Sequence, residues 1–304
     1  MPARSATAPS AATALAVSAL LFNAFTWGVS WWPLRQLQAL GVHPLWSTAL
    51  TYAVVVVALA LWRPSSVRDL VRTPSLWVLV LASGFTNASF NWGVTIGDVV
   101  RVVLLFYLMP LWSVLLARWL LREPLHAGVL LRAGLAVAGA LVVLWPGGGG
   151  WPWPRALPDW LGLAGGLSFA LNTVMLRREA ARPAASRALA MFAGGAVVSA
   201  AVALAGTAIG VALPPAATVA QWAPWVLLMV VWFLGANLSL QHGAARLRAG
   251  TTAVVMVSEV VFASASAVAL GAATLQAHTV AGGLLIASAA LLAAWQEGRR
   301  DDAR

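Results

Sequence analysis

Ten apolar blocks of about twenty residues, parted by short polar breaks, leave this chain few folds to choose from. They cover 12–33, 44–62, 75–97, 100–121, 127–146, 158–177, 187–212, 222–242, 251–272 and 279–297. A run of that length, rising ~1.5 Å per residue as a helix, crosses the ~30 Å of hydrocarbon in a bilayer. Inside lipid a helix is also the simplest way to pair every backbone polar group. Only 9% of the residues are charged and 61% are hydrophobic, whereas a soluble domain carries about a quarter charged residues. Such a chain cannot cover its surface with polar groups, so the expected fold is an all-α membrane protein with ten transmembrane helices.

The net charge of +10 does not point to nucleic acid, because the basic residues sit in the gaps between blocks rather than on one face or tail. All nineteen are arginine. With the N-terminus in the cytoplasm, the inner segments and helix ends hold sixteen of them: Arg4, Arg63, Arg68, Arg72, Arg118, Arg122, Arg132, Arg177, Arg178, Arg182, Arg187, Arg246, Arg248, Arg299, Arg300 and Arg304. Arg35, Arg101 and Arg155 fall outside. Positive charge is retained on the cytoplasmic side, so this split sets the orientation and supports an even number of spans. Tryptophans near both sets of helix ends, Trp46 and Trp222 outside and Trp62 and Trp119 inside among them, fit an interfacial belt. The expected location is the cell inner (plasma) membrane, multi-pass, with both termini cytoplasmic. A cleaved signal peptide is not expected, because the apolar run of the first block continues through Phe22, Trp27 and Trp32, too far for a typical signal core.

The most loop-like stretch lies mid-chain, from Pro146 through four glycines to Trp151-Pro152-Trp153-Pro154. It divides the chain into a first five-helix repeat over 1–146, a periplasmic linker over 147–157 and a second five-helix repeat over 158–304. A shift of 150 residues places Pro110 on Val260, Leu125 on Leu275, Ala140 on Ala290 and Trp145 on Trp295. Five spans per half is an odd number, so the second half enters the membrane from the opposite side. That is the inverted repeat of many transporters, with the substrate bound near the midplane.

The opening helix, Phe22-Asn23-Ala24-Phe25-Thr26-Trp27-Gly28, and the run Tyr107-Leu108-Met109-Pro110-Leu111-Trp112 continuing to Leu121-Arg122-Glu123-Pro124-Leu125, resemble the EamA family of the drug/metabolite transporter superfamily. The second run resembles that family's fourth helix, in which a kinking proline precedes a glutamate at the cytoplasmic end by about thirteen residues. The chain departs from the pattern at Glu259-Val260, where the family shows glutamate and proline, and at Ala273, Arg101 and Arg132. The resemblance implies a secondary transporter, exporting or importing small metabolites such as amino acids or related compounds, with no bound cofactor.

Glu259 is the sharpest candidate, eight residues into the ninth block and so roughly 12 Å deep at the helical rise. A charge there costs on the order of 3 kcal/mol even on lenient insertion scales. It is therefore protonated, or paired, or a ligand for a substrate cation. Arg101 opens the fourth block three residues after Asp98, a spacing that permits an ion pair, and its guanidinium could instead receive a substrate carboxylate. Deep amides recur on equivalent helices of the two halves: Asn23 with Asn172, and Asn87 and Asn91 with Asn237. They serve as glue between helices or as the lining of a shared cavity. Trp27, Trp112 and Trp232 lie too deep for the belt, as Tyr107 does, and could form apolar or cation–π walls.

With no cysteine, disulfides and thiolate chemistry are excluded. No metal-ligand spacing, nucleophile elbow or phosphate-binding loop occurs either. The expected function is alternating-access export of a small metabolite, with proton coupling through Glu259; the partners are a small-molecule substrate and the lipid bilayer. Export of organic cations or drugs, with Glu259 as counter-charge, is the other transporter reading. An intramembrane enzyme would need a cluster of acid, base or nucleophile at one depth, and the sequence offers none.

Overall fold

The computed structural model describes residues 11–120, 127–145, 153–244, 246, 255–256 and 258–301. Arg4, Arg122, Glu123, Arg248 and Arg304, the glycines of the expected linker and the first residues of the ninth block lie outside them. The described residues form thirteen helices: α1 (Ala11–Val29), α2 (Trp31–Ala39), α3 (Pro44–Trp62), α4 (Pro64–Arg72), α5 (Pro74–Ile96), α6 (Val99–Phe106), α7 (Met109–Leu120), α8 (Ala127–Val143), α9 (Leu157–Arg178), α10 (Ala184–Ala208), α11 (Val219–Ala244), α12 (Ser258–Ala269) and α13 (Ala277–Asp301). Each of the ten apolar blocks falls on helix. By length and hydropathy four stretches suffice to cross a membrane: Ala14–Ala39, Pro44–Trp62, Ala184–Ala208 and Val219–Leu240.

Proline sets many of the boundaries. Pro44, Pro64 and Pro74 stand at the first position of α3, α4 and α5, where a missing N–H costs nothing. Inside an apolar block proline breaks the helix instead, because the carbonyl four residues earlier loses its donor. Pro33 does this to Val29, the last residue of α1, and Pro110 to Phe106, the last of α6. The first and fourth blocks are therefore each a broken helix.

α4 was not among the sequence-predicted elements. It is short and amphipathic, burying Ser66 and Leu70 and exposing Val67, Arg68, Val71 and Arg72. The Ser186 hydroxyl, just inside α10, donates to Asp69 at 2.6 Å and holds α4 against that helix.

The outward helix faces are apolar: Val231 is 71% exposed, Leu284 65%, Val261 64% and Val57 57%. Exposed aliphatic side chains this numerous mark contact with lipid or a partner rather than water. The largest cluster of buried side chains gathers Trp31, Tyr52, Phe90, Phe106, Tyr107, Phe192 and Phe233, which come from both halves of the sequence.

The main contacts between the two halves of the sequence come in corresponding pairs. α1 packs on α11 and α12, while α5 and α6–α7 pack on α9. α3 touches α11 as α5 touches α10, and α3–α10 and α8–α13 each join a block to its counterpart. Contacts within the first half, α2–α5, α3–α5 and α5–α6 among them, have no counterparts of like extent in the second half among the described residues. Small residues permit the closest crossings. A Cβ on Gly139 of α8 would lie 2.7 Å from the Gly282 carbonyl oxygen of α13, and one on Gly282 would lie 2.6 Å from the Gly139 oxygen. At this crossing only glycine lets the two backbones meet.

Candidate functional site

The candidate residues divide into those the fold gathers at its centre and those it places elsewhere. Tyr107 occupies the gap between α6 and α7, opened by Pro110. From there its hydroxyl lies 3.0 Å from Glu259 Oε2 and 2.9 Å from the Met256 carbonyl oxygen. Glu259 stands in the first turn of α12 and is 6% exposed. Gly28 of α1 lets this turn approach closely, since a Cβ there would be 2.8 Å from the Glu259 carbonyl oxygen. Tyr107 is thus a hydrogen-bond partner of the buried acid.

Trp27 packs on Phe233 at 4.8 Å and on Phe90 at 6.1 Å between ring centroids, and Phe90 continues to Phe106 at 4.8 Å. These rings join α1, α5, α6 and α11. Trp232 faces α1 with a polar contact, its indole N–H donating to the Thr26 carbonyl at 2.7 Å. The Asn23 amide donates to the Ala236 carbonyl at 2.7 Å. Both bonds act as glue between α1 and α11, and they leave Asn23 Oδ1 buried with no donor.

On α5, Asn87 is engaged on both sides. It accepts from the Tyr52 hydroxyl at 2.6 Å and donates to the Ser83 carbonyl at 2.8 Å. Asn91 donates to the Thr48 hydroxyl at 3.1 Å, with its own oxygen free of donors, as is that of Asn172 on α9. Asn237 also has an interaction partner. Tyr52 and Thr48 of α3 were not singled out in the sequence, although Tyr52 is one of only two tyrosines and sits mid-block.

Arg101 and Trp112 lie apart from this centre. The ion pair expected between Arg101 and Asp98 does not form. Asp98 caps α6 by accepting from the Arg101 backbone N–H at 2.8 Å, so its carboxylate points at the backbone rather than along the helix. The Arg101 guanidinium turns to Asp159 of α9, with Nε–Oδ1 at 2.6 Å and Nη2–Oδ2 at 3.0 Å. Its Nη1 donates to the Val143 carbonyl at 2.9 Å. Arg35, also on the outer side of the charge split, donates to the carbonyls of Thr95 at 3.0 Å and Gly97 at 2.6 Å, closing the C-terminal end of α5. Trp112 packs beside Leu105, Leu108 and Ala136, and its indole N–H is buried without an acceptor among the described residues.

An open groove of about 390 Å³ is lined by Trp46, Leu50, Thr207, Pro214 and Trp222 among others. None of the candidate residues reaches it and its walls are apolar, so the polar centre and the groove are separate places.

Comparison with known proteins places this geometry. Residues 14–145 match the model of the EamA-like transporter family. A crystal structure described only as that of a protein superimposes with a TM-score of 0.56 at 18% sequence identity, covering 96% of this chain and 99% of that one. That likeness extends over both halves and concerns the fold alone. No curated protein matches.

Proposed function

We propose, from the match of residues 14–145 to the EamA-like transporter family, that this chain is a ten-span secondary exporter of a small polar metabolite such as an amino acid. It works by alternating access between two inverted halves, 1–146 and 158–304, with both termini cytoplasmic. The family match carries the transport reading. The two-half reading is supported by the main contacts between the halves, in which α1–α11 corresponds to α5–α9, α3–α11 to α5–α10 and α1–α12 to α7–α9.

For the site, the supporting observation is a set of unspent acceptors. The amide oxygens of Asn23, Asn91 and Asn172 are buried without donors among the described residues, and Glu259 is buried as well. Leaving such groups unpaired is costly, so a substrate that brings N–H donors, as an ammonium or amide does, gains most from this environment. Glu259 then binds the substrate's cationic group or a proton in turn, and competition between the two couples export to the proton gradient.

Export of organic cations is the second reading. It draws on the aromatic rings of Trp27, Phe90 and Phe233 beside a carboxylate whose described partners include no arginine. Proteoliposomes loaded with labelled amino acids or with a quaternary ammonium dye separate the two. Counterflow of an amino acid, lost in Asn23→Leu and in Glu259→Gln, is the expected result. Counterflow of the dye alone would select the second reading, and neither substrate moving would remove both.

A further inference from the structure

The contacts around Tyr107 present a problem of proton accounting. A phenol carries one hydrogen, yet the Tyr107 oxygen lies 3.0 Å from Glu259 Oε2 and 2.9 Å from the Met256 carbonyl oxygen. Both neighbours are acceptors when Glu259 is ionised, and one of the two short contacts then holds no hydrogen. When Glu259 carries a proton, its O–H donates to the Tyr107 oxygen and the phenol donates to Met256. Every contact is then a hydrogen bond.

Ionisation reverses the first of these bonds and breaks the second. A charge-assisted bond to carboxylate is about twice as strong as a neutral one, so the phenol hydrogen turns to Glu259 and leaves the Met256 carbonyl. We propose that Tyr107 is a positioning residue that converts the protonation state of Glu259 into the making or breaking of a tie between the α6–α7 gap and the start of α12. One proton gained at Glu259 closes the Tyr107–Met256 bond, and its loss opens that bond. No covalent bond changes, and the proton exchanged with solvent is the only species gained or lost. This inference rests on the reading of Glu259 as the proton carrier.

The surroundings keep the switch simple. α12 packs against α1 and α6. α1 has no titratable side chain, and the one on α6 is Arg101, bound to Asp159. On α12 itself Glu259 is the one acid. The site also sits where movement would matter, because the gap that holds Tyr107 is the break in the fourth block. Discontinuous helices at the centre of a transporter are where ion sites commonly form.

Difference infrared spectroscopy of the purified protein in lipid, stepped across pH, tests the proposal without a substrate. The wild type should show the stretch of a protonated, hydrogen-bonded carboxyl that disappears on raising pH and is missing in Glu259→Gln. Tyrosine ring bands should change in the same step. The chain has two tyrosines, so ring-deuterated tyrosine in Tyr52→Phe assigns the change to Tyr107, and this reading survives even if Tyr107→Phe fails to fold. Where Tyr107→Phe folds, its carboxyl band should move towards that of an unbonded acid and its titration midpoint should shift by at least about half a pH unit.

Tyrosine bands that stay still while the carboxyl titrates would overturn the switch, as would a carboxyl band identical in Tyr107→Phe or the lack of any protonated band. If the bands move as expected but counterflow is absent for every substrate, the transport reading fails and the linkage stands.

Discussion

Arg101 and Asp159, 58 residues apart in sequence, face each other as a two-pronged ion pair with Nε–Oδ1 at 2.6 Å and Nη2–Oδ2 at 3.0 Å. The carboxylate side chain is 5% exposed and the guanidinium 29%, so water screens the pair only in part. It fastens α6 to α9 near the N-terminal ends of both helices, and the remaining bond of Arg101 to Val143 brings in α8.

Removing Asp159 alone should therefore leave a half-buried guanidinium without its partner. We expect Asp159→Asn to lower the stability of the purified protein by about 2 kcal/mol, between the values typical of exposed and buried pairs. The double variant Arg101→Leu with Asp159→Leu should lose less than the sum of the two single changes. Thermal melts in lipid nanodiscs measure all of these. A cycle that sums without interaction would mean that the pair contributes nothing as a pair.

The glycine crossing gives a sharper contrast within one helix. Gly139→Ala must push α8 from α13, and overpacking of this kind costs about 2 kcal/mol. Gly134 lies on the same helix with no heavy atom within 4 Å of an added Cβ. Gly134→Ala should be neutral, or stabilising by up to about 1 kcal/mol from helix propensity. Equal melting temperatures for the two variants would contradict the close crossing.

Topology is open to direct measurement, because the chain has no cysteine and any thiol introduced reports alone. Ala181, between α9 and α10, and Ala216, between α10 and α11, are both exposed. In intact cells an impermeant maleimide should label Ala216→Cys from outside, and Ala181→Cys only after the membrane is opened. Labelling of both from the same side would dismantle the ten-span arrangement.

Acid should unfasten the C-terminal end of α9. Burial alone would push the Glu179 carboxyl up, but hydrogen bonds from Arg182 and Ser75 and the charges of Arg182 and Arg178 outweigh it and hold the group below its ordinary value. A carboxyl depressed in the folded state adds stability that is complete above its unfolded value of about 4.3 and is lost as pH falls through the folded value. Melts run from neutral pH down into that range should therefore fall more steeply for the wild type than for Glu179→Gln. Parallel acid limbs would show that the ion pair, at 2.6 Å, is not coupled to folding.

The helical blocks were readable because lipid imposes a length and a polarity that few other constraints blur. α4 was not readable, because nine residues with two arginines and an aspartate look like a loop until a neighbouring helix supplies the surface that Leu70 needs. Pro110 signalled a kink, but the break opens earlier, at Tyr107, since the damage done by proline falls on a carbonyl four residues back. Glu259 stood out for its charge at depth. Its partner did not, because nothing local links position 107 to position 259. Arg101 shows the limit in reverse: the nearby Asp98 matched the spacing of an ion pair, yet it was already engaged in capping the helix.

The long-range contacts of α1 and α2 bear on how the chain is made. Asn23 bonds to a carbonyl 213 residues further on, and Trp31 donates to Ser266 across 235 residues. α1 and α2 thus meet these neighbours only after the helices between them have been inserted. Until then, Asn23 and the indole of Trp31 need temporary partners in lipid headgroups, water or an insertion factor. Insertion and packing are separable stages for membrane helices, and for Asn23 the synthesis of 213 residues lies between them. A ribosome stalled before α11 would release a chain that is threaded through the bilayer but not yet assembled, and quality-control proteases would meet it in that form.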